Sequence, residues 1–201
     1  YFTINKKKKW ITNSYSRARV HLMRSLHDCL ITSSKTIAKD NPKLTCRIDG
    51  LTNRSPARVI LDRNLNTPIN SNIIKESSNY RTIIFYNKTK NHKIELLKKN
   101  NVEIYKLPLD GNGNIDLIQS LMKIGKLGFS RIFVEAGAKL STNFLNNNLV
   151  NCLNIFVSSK KLRKNGSYSF KNFLKTFLKN KKEVLEKVNL FDDKLVSYKL
   201  K

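Results

Sequence analysis

The chain has 201 residues, 40% of them hydrophobic, enough to bury one substantial core, and one domain is the expected count. Thirty-nine Lys and Arg against 14 Asp and Glu give a net charge of +25, but the basic residues are spread over every segment alongside many Asn and Ile, so charge alone gives a nucleic-acid-binding module little support. No apolar run reaches the roughly 18 residues of a membrane span, and Cys29, Cys46 and Cys152 lack metal or disulfide spacing and read as buried or half-buried free thiols of a cytoplasmic protein.

Lys6-Lys7-Lys8-Lys9 reads as a solvated surface loop, with steering of phosphates as the alternative. Asn13 caps a predicted helix over residues 14–26, in which Val20, Met23 and Leu26 share one face. Cys29-Leu30-Ile31 is a short buried strand, followed by one or two helical turns over residues 33–38 that end at Asp40-Asn41-Pro42. Residues 57–62 and 81–86 are the clearest buried strands, being rich in β-branched residues and bounded by turn residues. A short helix over 92–99, a strand over 102–105, a turn at 110–114 and a helix over 115–127 come next. A strand over 131–134 runs through Gly137 into a helix over 140–148, and residues 152–157 continue the sheet. Strands over 184–191 and 195–200, joined at Asp192-Asp193, form a terminal hairpin. Residues 160–182 are lysine-rich and weakly patterned.

Alternating strands and helices predict an α/β fold with a mostly parallel sheet, whose ligands bind beyond the carboxyl ends of the strands. At one such end, Val134-Glu135-Ala136-Gly137 leads into a helix, whose first N–H groups and partial positive charge suit a phosphate. Arg24 and Arg47 carry the planar fork that pairs with phosphate oxygens. His21, His27 and His92 show no metal-ligand spacing, and no metal site is expected.

Trp10-Ile11-Thr12, Ser16-Arg17, Val20-His21 with Arg24, Thr36, Asp40-Asn41-Pro42, Leu44-Thr45 and Arg47 occur in order, and Val134-Glu135-Ala136-Gly137-Ala138-Lys139-Leu140 follows much later. This set resembles the reductase domain of the bifunctional riboflavin-biosynthesis deaminase–reductase, a pyrimidine reductase. The resemblance spans the whole chain. It implies a dihydrofolate-reductase-like fold with a mostly parallel central sheet, flanking helices and a C-terminal antiparallel hairpin. It also implies reduction of 5-amino-6-(5-phosphoribosylamino)uracil by NADPH, and a homodimer in the intact protein.

The same resemblance implies that Gly137, Ala138, Lys139, Leu140, Ser141, Thr142 and Asn143 hold the NADPH diphosphate, with Trp10, Thr36 and Asp40 also against the cofactor. Arg24 and Arg47 would clamp the substrate 5-phosphate, with Glu135 and Leu44 beside the substrate. Lys8 replaces the family's usual serine and could reach a phosphate as a point charge, while Arg63 stands where a small polar residue is usual. The deaminase motifs H-x-E and P-C-x-x-C do not occur, nor does the family's first strand with S-L-D-G, so the chain reads as a reductase domain truncated at its N-terminus. No catalytic residue is assigned. A pterin reductase is the rival enzyme, against which the two arginines argue because dihydrofolate carries no phosphate.

Overall fold

The structure, a computed structural model, describes residues 10–88, 91–160 and 171–201. It divides into two compact units, one of residues 21–143 and the other of residues up to Val20 and from Phe144 onward. The boundaries fall within helices α1 (Ser14–Ser25) and α6 (Ala138–Asn146).

In the unit of residues 21–143, β1 (Cys29–Ser33), β2 (Ala57–Leu61), β3 (Thr82–Tyr86), β4 (Val102–Lys106) and β5 (Ile132–Val134) form a parallel sheet in the order β4-β3-β2-β1-β5. Strands β1 to β3 are apolar on both sides, with Leu30, Ile31, Val59, Ile60, Ile83 and Ile84 fully buried, as a sheet covered on both faces requires. On one face Leu30, Ile60 and Ile84 pack with Ile37 of α2 (Ser34–Asp40), Ile73 and Ile74 of α3 (Asn72–Lys75) and Leu97 of α4 (Asn91–Lys99). Helix α5 (Leu117–Lys126) begins at Asp116, whose carboxylate accepts the Gln119 N–H at 2.9 Å, and it buries Leu117, Ser120 and Ile124.

The same core face contains a charge. Arg58 in β2 is wholly buried beside Thr82 of β3, its register partner. Its guanidinium donates to the Thr82 hydroxyl (2.6 and 3.2 Å) and to the carbonyls of Lys43 (3.1 Å), Ile73 (3.0 Å) and Tyr80 (3.0 Å). Burial pulls its pKa down to about 10, partly offset by Glu76, whose carboxylate lies 3.9 Å away. The group therefore remains charged at neutral pH and ties β2 to β3 and α3.

In the other unit β6 (Cys152–Val157), β8 (Lys194–Lys199) and β7 (Glu183–Leu185) form an antiparallel sheet in that order. Helix α7 (Lys171–Phe177) stacks Phe173 on Phe177 at 5.5 Å. The Asn13 side chain accepts the Ser16 N–H at 2.9 Å as the expected cap of α1. Asp193 accepts the Asn13 N–H (2.8 Å) and the Ser16 hydroxyl (2.7 Å). Burial pushes the Asp193 carboxyl up, but these bonds and others from Ser158 and Ser159 outweigh it and hold it below the usual carboxylate range.

Several expectations change. Strand β6 does not continue the parallel sheet; it pairs antiparallel with β8 through six residue pairs. The hairpin's first strand stops at Leu185, so residues 186–193 form a longer connection than Asp192-Asp193 alone. Leu26 lies past the end of α1 and is exposed, leaving Met23 as the buried residue of the expected stripe. Cys29 and Cys46 are buried as expected, whereas Cys152 sits exposed on β6.

Candidate active site

Strands β2, β3 and β4 lie to one side of β1 and β5 to the other, so the strand order reverses at β1. The carboxyl ends of β1 and β5 border this switch point, where open α/β sheets bind ligands.

A cluster of charged side chains forms here. Glu135 follows β5 directly, and its N–H donates to Ile31 O at 3.0 Å, continuing the pairing with β1. Arg24, in the last turn of α1, meets Glu135 in a two-pronged pair: Nε to Oε2 at 2.9 Å and Nη2 to Oε1 at 2.7 Å. The third prong, Nη1, donates to the Thr45 carbonyl at 2.9 Å. His21 lies three residues earlier on α1 and so shares that face. Its Nδ1 is 2.9 Å from the same Thr45 carbonyl and 3.1 Å from the Arg47 N, and its Nε2 is 3.2 Å from Arg47 Nη2. Burial, then the positive charges of Arg24 and Arg47, pull the His21 pKa below its usual value. Leu44, just before Thr45, takes a left-handed backbone (φ 57°) that costs a bulky residue about 1–2 kcal/mol, and its side chain is buried in the core cluster.

A cleft of about 300 Å³ opens at the ends of β1 and β2, lined by residues 33–35, 61–64, 66, 112–115, 117, 139, 140 and 143. Asp62 is buried, and its carboxylate accepts from Asn66 N (2.8 Å), Thr67 N (2.7 Å) and the Thr67 hydroxyl (2.7 Å), which fixes the loop after β2. Asp110 accepts the N–H groups of Asn112 (2.9 Å) and Asn114 (2.8 Å), and Gly113 between them supplies the positive φ of 71° that this turn needs. Arg63 links the two loops by donating to Gly113 O at 2.6 Å. Lys35, Arg63 and Lys139 make the lining cationic. A methyl group built on Gly137, just ahead of α6, would meet no atom within 4 Å, so the space before the helix is open to a ligand.

Of the residues expected to hold the cofactor, Lys139, Leu140 and Asn143 line the cleft. Gly137 and Ala138 lie at the start of α6, and Ser141 and Thr142 lie in its next turn, where Ser141 Oγ donates to Ala136 O at 3.3 Å. The Thr36 hydroxyl is 3.1 Å from that of Ser33, the N-cap of α2, and Asp40 is exposed at that helix's end. Trp10 is half exposed in the other unit, with the Arg17 guanidinium 4.7 Å from its ring centroid. Of the residues expected at the substrate, Arg24, Arg47 and Glu135 come together, Leu44 can offer only its backbone, and Lys8 lies outside the described residues. Unforeseen were Ser33, Lys35, Asn64, Asn66, Asn112 and Asn114 of the cleft; the available signals were strand-end placement and the turn at 110–114.

Among the described residues no three His, Cys, Asp or Glu side chains gather as a metal site, and no helix is long and apolar enough to cross a membrane.

Comparison with known proteins places this geometry. The family model described as RibD C-terminal domain matches residues 2–186. The chain belongs to this family. Among curated relatives of this RibD domain, the riboflavin biosynthesis protein RibD of Actinobacillus pleuropneumoniae is 28% identical over 76% of this chain and 40% of its own length. A 5-amino-6-(5-phosphoribosylamino)uracil reductase of Buchnera aphidicola subsp. Acyrthosiphon pisum is 29% identical over 76% of this chain and 75% of its own. The chain thus spans under half of the Actinobacillus RibD and three quarters of the Buchnera protein. RibD of Acinetobacter baumannii superposes with a TM-score of 0.72 at 21% identity, over 98% of this chain and 53% of that one. The shared fold is dihydrofolate-reductase-like.

Proposed function

We propose that this chain is an NADPH-dependent reductase of 5-amino-6-(5-phosphoribosylamino)uracil, acting in the cytoplasm in riboflavin biosynthesis and, in the intact protein, as a homodimer. The observation that carries the reading is the pairing, in one unit, of a cationic cleft at the switch point with the Arg24–Glu135–Arg47 cluster. The named activity of the Buchnera relative, matched over most of both chains, supports it.

The donor set fits a dinucleotide. The open space before α6 and the first turns of that helix, from Gly137 to Asn143, suit the diphosphate, and Lys35, Arg63 and Lys139 add fixed positive charge for its phosphates. Thr36 and Asp40 complete the cofactor side of this reading. On the substrate side Arg24 and Arg47 hold the 5-phosphate. Glu135 and the Leu44 backbone face the pyrimidine and the sugar. When bound, the nicotinamide would supply the hydride to C1′, while the ring oxygen released as the ribose opens takes a proton from water or an acidic side chain. The protein's part is orientation: it fixes C1′ against the cofactor and places charge at each phosphate before the reaction starts.

The test is NADPH consumption followed by absorbance, with the phosphoribosylaminouracil as substrate and dihydrofolate as control. Oxidation with the first alone is expected. Turnover of dihydrofolate, or indifference of the rate to the phosphorylated substrate, would replace this reading with a pterin reductase or remove it.

A further inference from the structure

We infer that His21 is a positioning residue for Arg47, gripping its guanidinium through the neutral imidazole that carries its proton on Nδ1 and sharing the Thr45 carbonyl with Arg24. The inference rests on the proposal that Arg47 binds the substrate phosphate.

The geometry selects the tautomer through which His21 holds Arg47. With the proton on Nδ1, the ring donates to Thr45 O (2.9 Å), and its free Nε2 accepts from Arg47 Nη2 (3.2 Å). With the proton on Nε2, Nδ1 would take the Arg47 backbone N–H (3.1 Å) but would face Thr45 O as a second acceptor at 2.9 Å and set the Nε2–H against the Arg47 guanidinium at 3.2 Å, so the first tautomer is the one the site selects. That neutral form accepts one bond from the Arg47 side chain, whereas an imidazolium accepts none. Three charged groups act on the ring: Arg24 and Arg47 oppose its protonation and Glu135 favours it. Burial sides with the arginines, so the accepting form prevails at neutral pH.

Arg47 needs this help because it is exposed, and a free arginine loses rotamer freedom when it settles on a phosphate. Arg24 needs none, since its guanidinium is already fixed by Glu135 and Thr45 O. His21 thus converts a mobile surface cation into the second fixed arm of the clamp. Thr45 O sets the spacing, because it accepts from Arg24 on one side and lies against His21 on the other.

The experiment is calorimetric binding of ribose 5-phosphate to the wild-type chain and to the variants H21A, H21Q, R47A and H21A/R47A, with circular dichroism as the check on folding. R47A is expected to weaken binding about tenfold or more. H21A is expected to weaken it about three- to tenfold. H21Q, whose amide oxygen can accept from the Arg47 guanidinium, should recover most of the affinity, and the double variant should bind like R47A. If H21A weakens binding as much in the R47A background as in the wild type, or if H21Q is as weak as H21A, the positioning role is overturned while the clamp stands. If R47A leaves binding unchanged, the clamp fails and the role of His21 falls with it.

Discussion

Arg58→Met tests whether a buried charge holds the parallel sheet together. The substitution keeps an unbranched apolar stem but removes the guanidinium from a site with no exposed surface. Tyr80 O retains the Thr82 hydroxyl, which donates to it at 2.8 Å, whereas Lys43 O and Ile73 O lose their guanidinium donors. Each buried acceptor left unmatched costs about 1–3 kcal/mol. Glu76 loses a counter-charge 3.9 Å away but keeps Lys43 at 2.5 Å, so the expected loss is that of the two carbonyls, about 4 kcal/mol. Domains are typically stable by only about 5–15 kcal/mol, so the variant should be marginal. In urea denaturation followed by circular dichroism, with a slope of about 2 kcal/mol per molar, the midpoint should fall by about 2 M. Arg58→Lys should fall short of wild type too, because one ammonium cannot reach four acceptors on different segments. A fall of less than about 0.5 M at unchanged slope would refute the reasoning and make the guanidinium a tolerated passenger.

Asp28 accepts the N–H groups of Ser130 (3.0 Å) and Arg131 (2.7 Å), which hold its carboxyl at about 2. Its folded value lies below the unfolded one, so it stabilises above the ordinary carboxylate range and that contribution is lost as pH falls through about 2. The melting-temperature gap between wild type and Asp28→Asn should therefore close across that window; a constant gap would contradict the assignment. Arg63→Ser should weaken NADPH binding several-fold in calorimetry without changing the circular dichroism, and unchanged affinity would remove Arg63 from the cofactor's phosphates. Asp193→Asn should destabilise the chain by about 1–2 kcal/mol in urea, since the Asn13 N–H and the Ser16 hydroxyl lose a charged acceptor.

The parallel sheet was legible because its strands are continuous apolar runs, which leave little choice of partner or burial. The same apolarity hid Arg58: within Ala57-Arg58-Val59-Ile60-Leu61 nothing local announces that an arginine will find four acceptors on other segments. Helix α3 escaped for a related reason, since a four-residue helix has no room for a periodic pattern and follows from packing Ile73 and Ile74 against the sheet. Strand β6 read well as a strand, but its partner β8 lies some forty residues away and its pairing is a long-range fact. At the site, motif positions marked Arg24, Arg47 and Glu135. They could not show that Arg24 spends two prongs on Glu135, nor that His21 stands between an arginine and a carbonyl. Charge and hydrogen-bonding capacity are written in the sequence, whereas their mutual satisfaction is a property of the fold.

The acceptor common to Arg24 and His21 is a main-chain atom, the Thr45 carbonyl. Every residue type at position 45 would supply that oxygen, so no missense change can delete it and an alanine scan would pass over it in silence. Replacing the following amide with an ester, which makes the carbonyl a poorer acceptor, is the one chemical edit that reaches it. Genetic variation can act only on the groups aimed at it, so a centre of this kind leaves its trace in the residues around it and none at its own position.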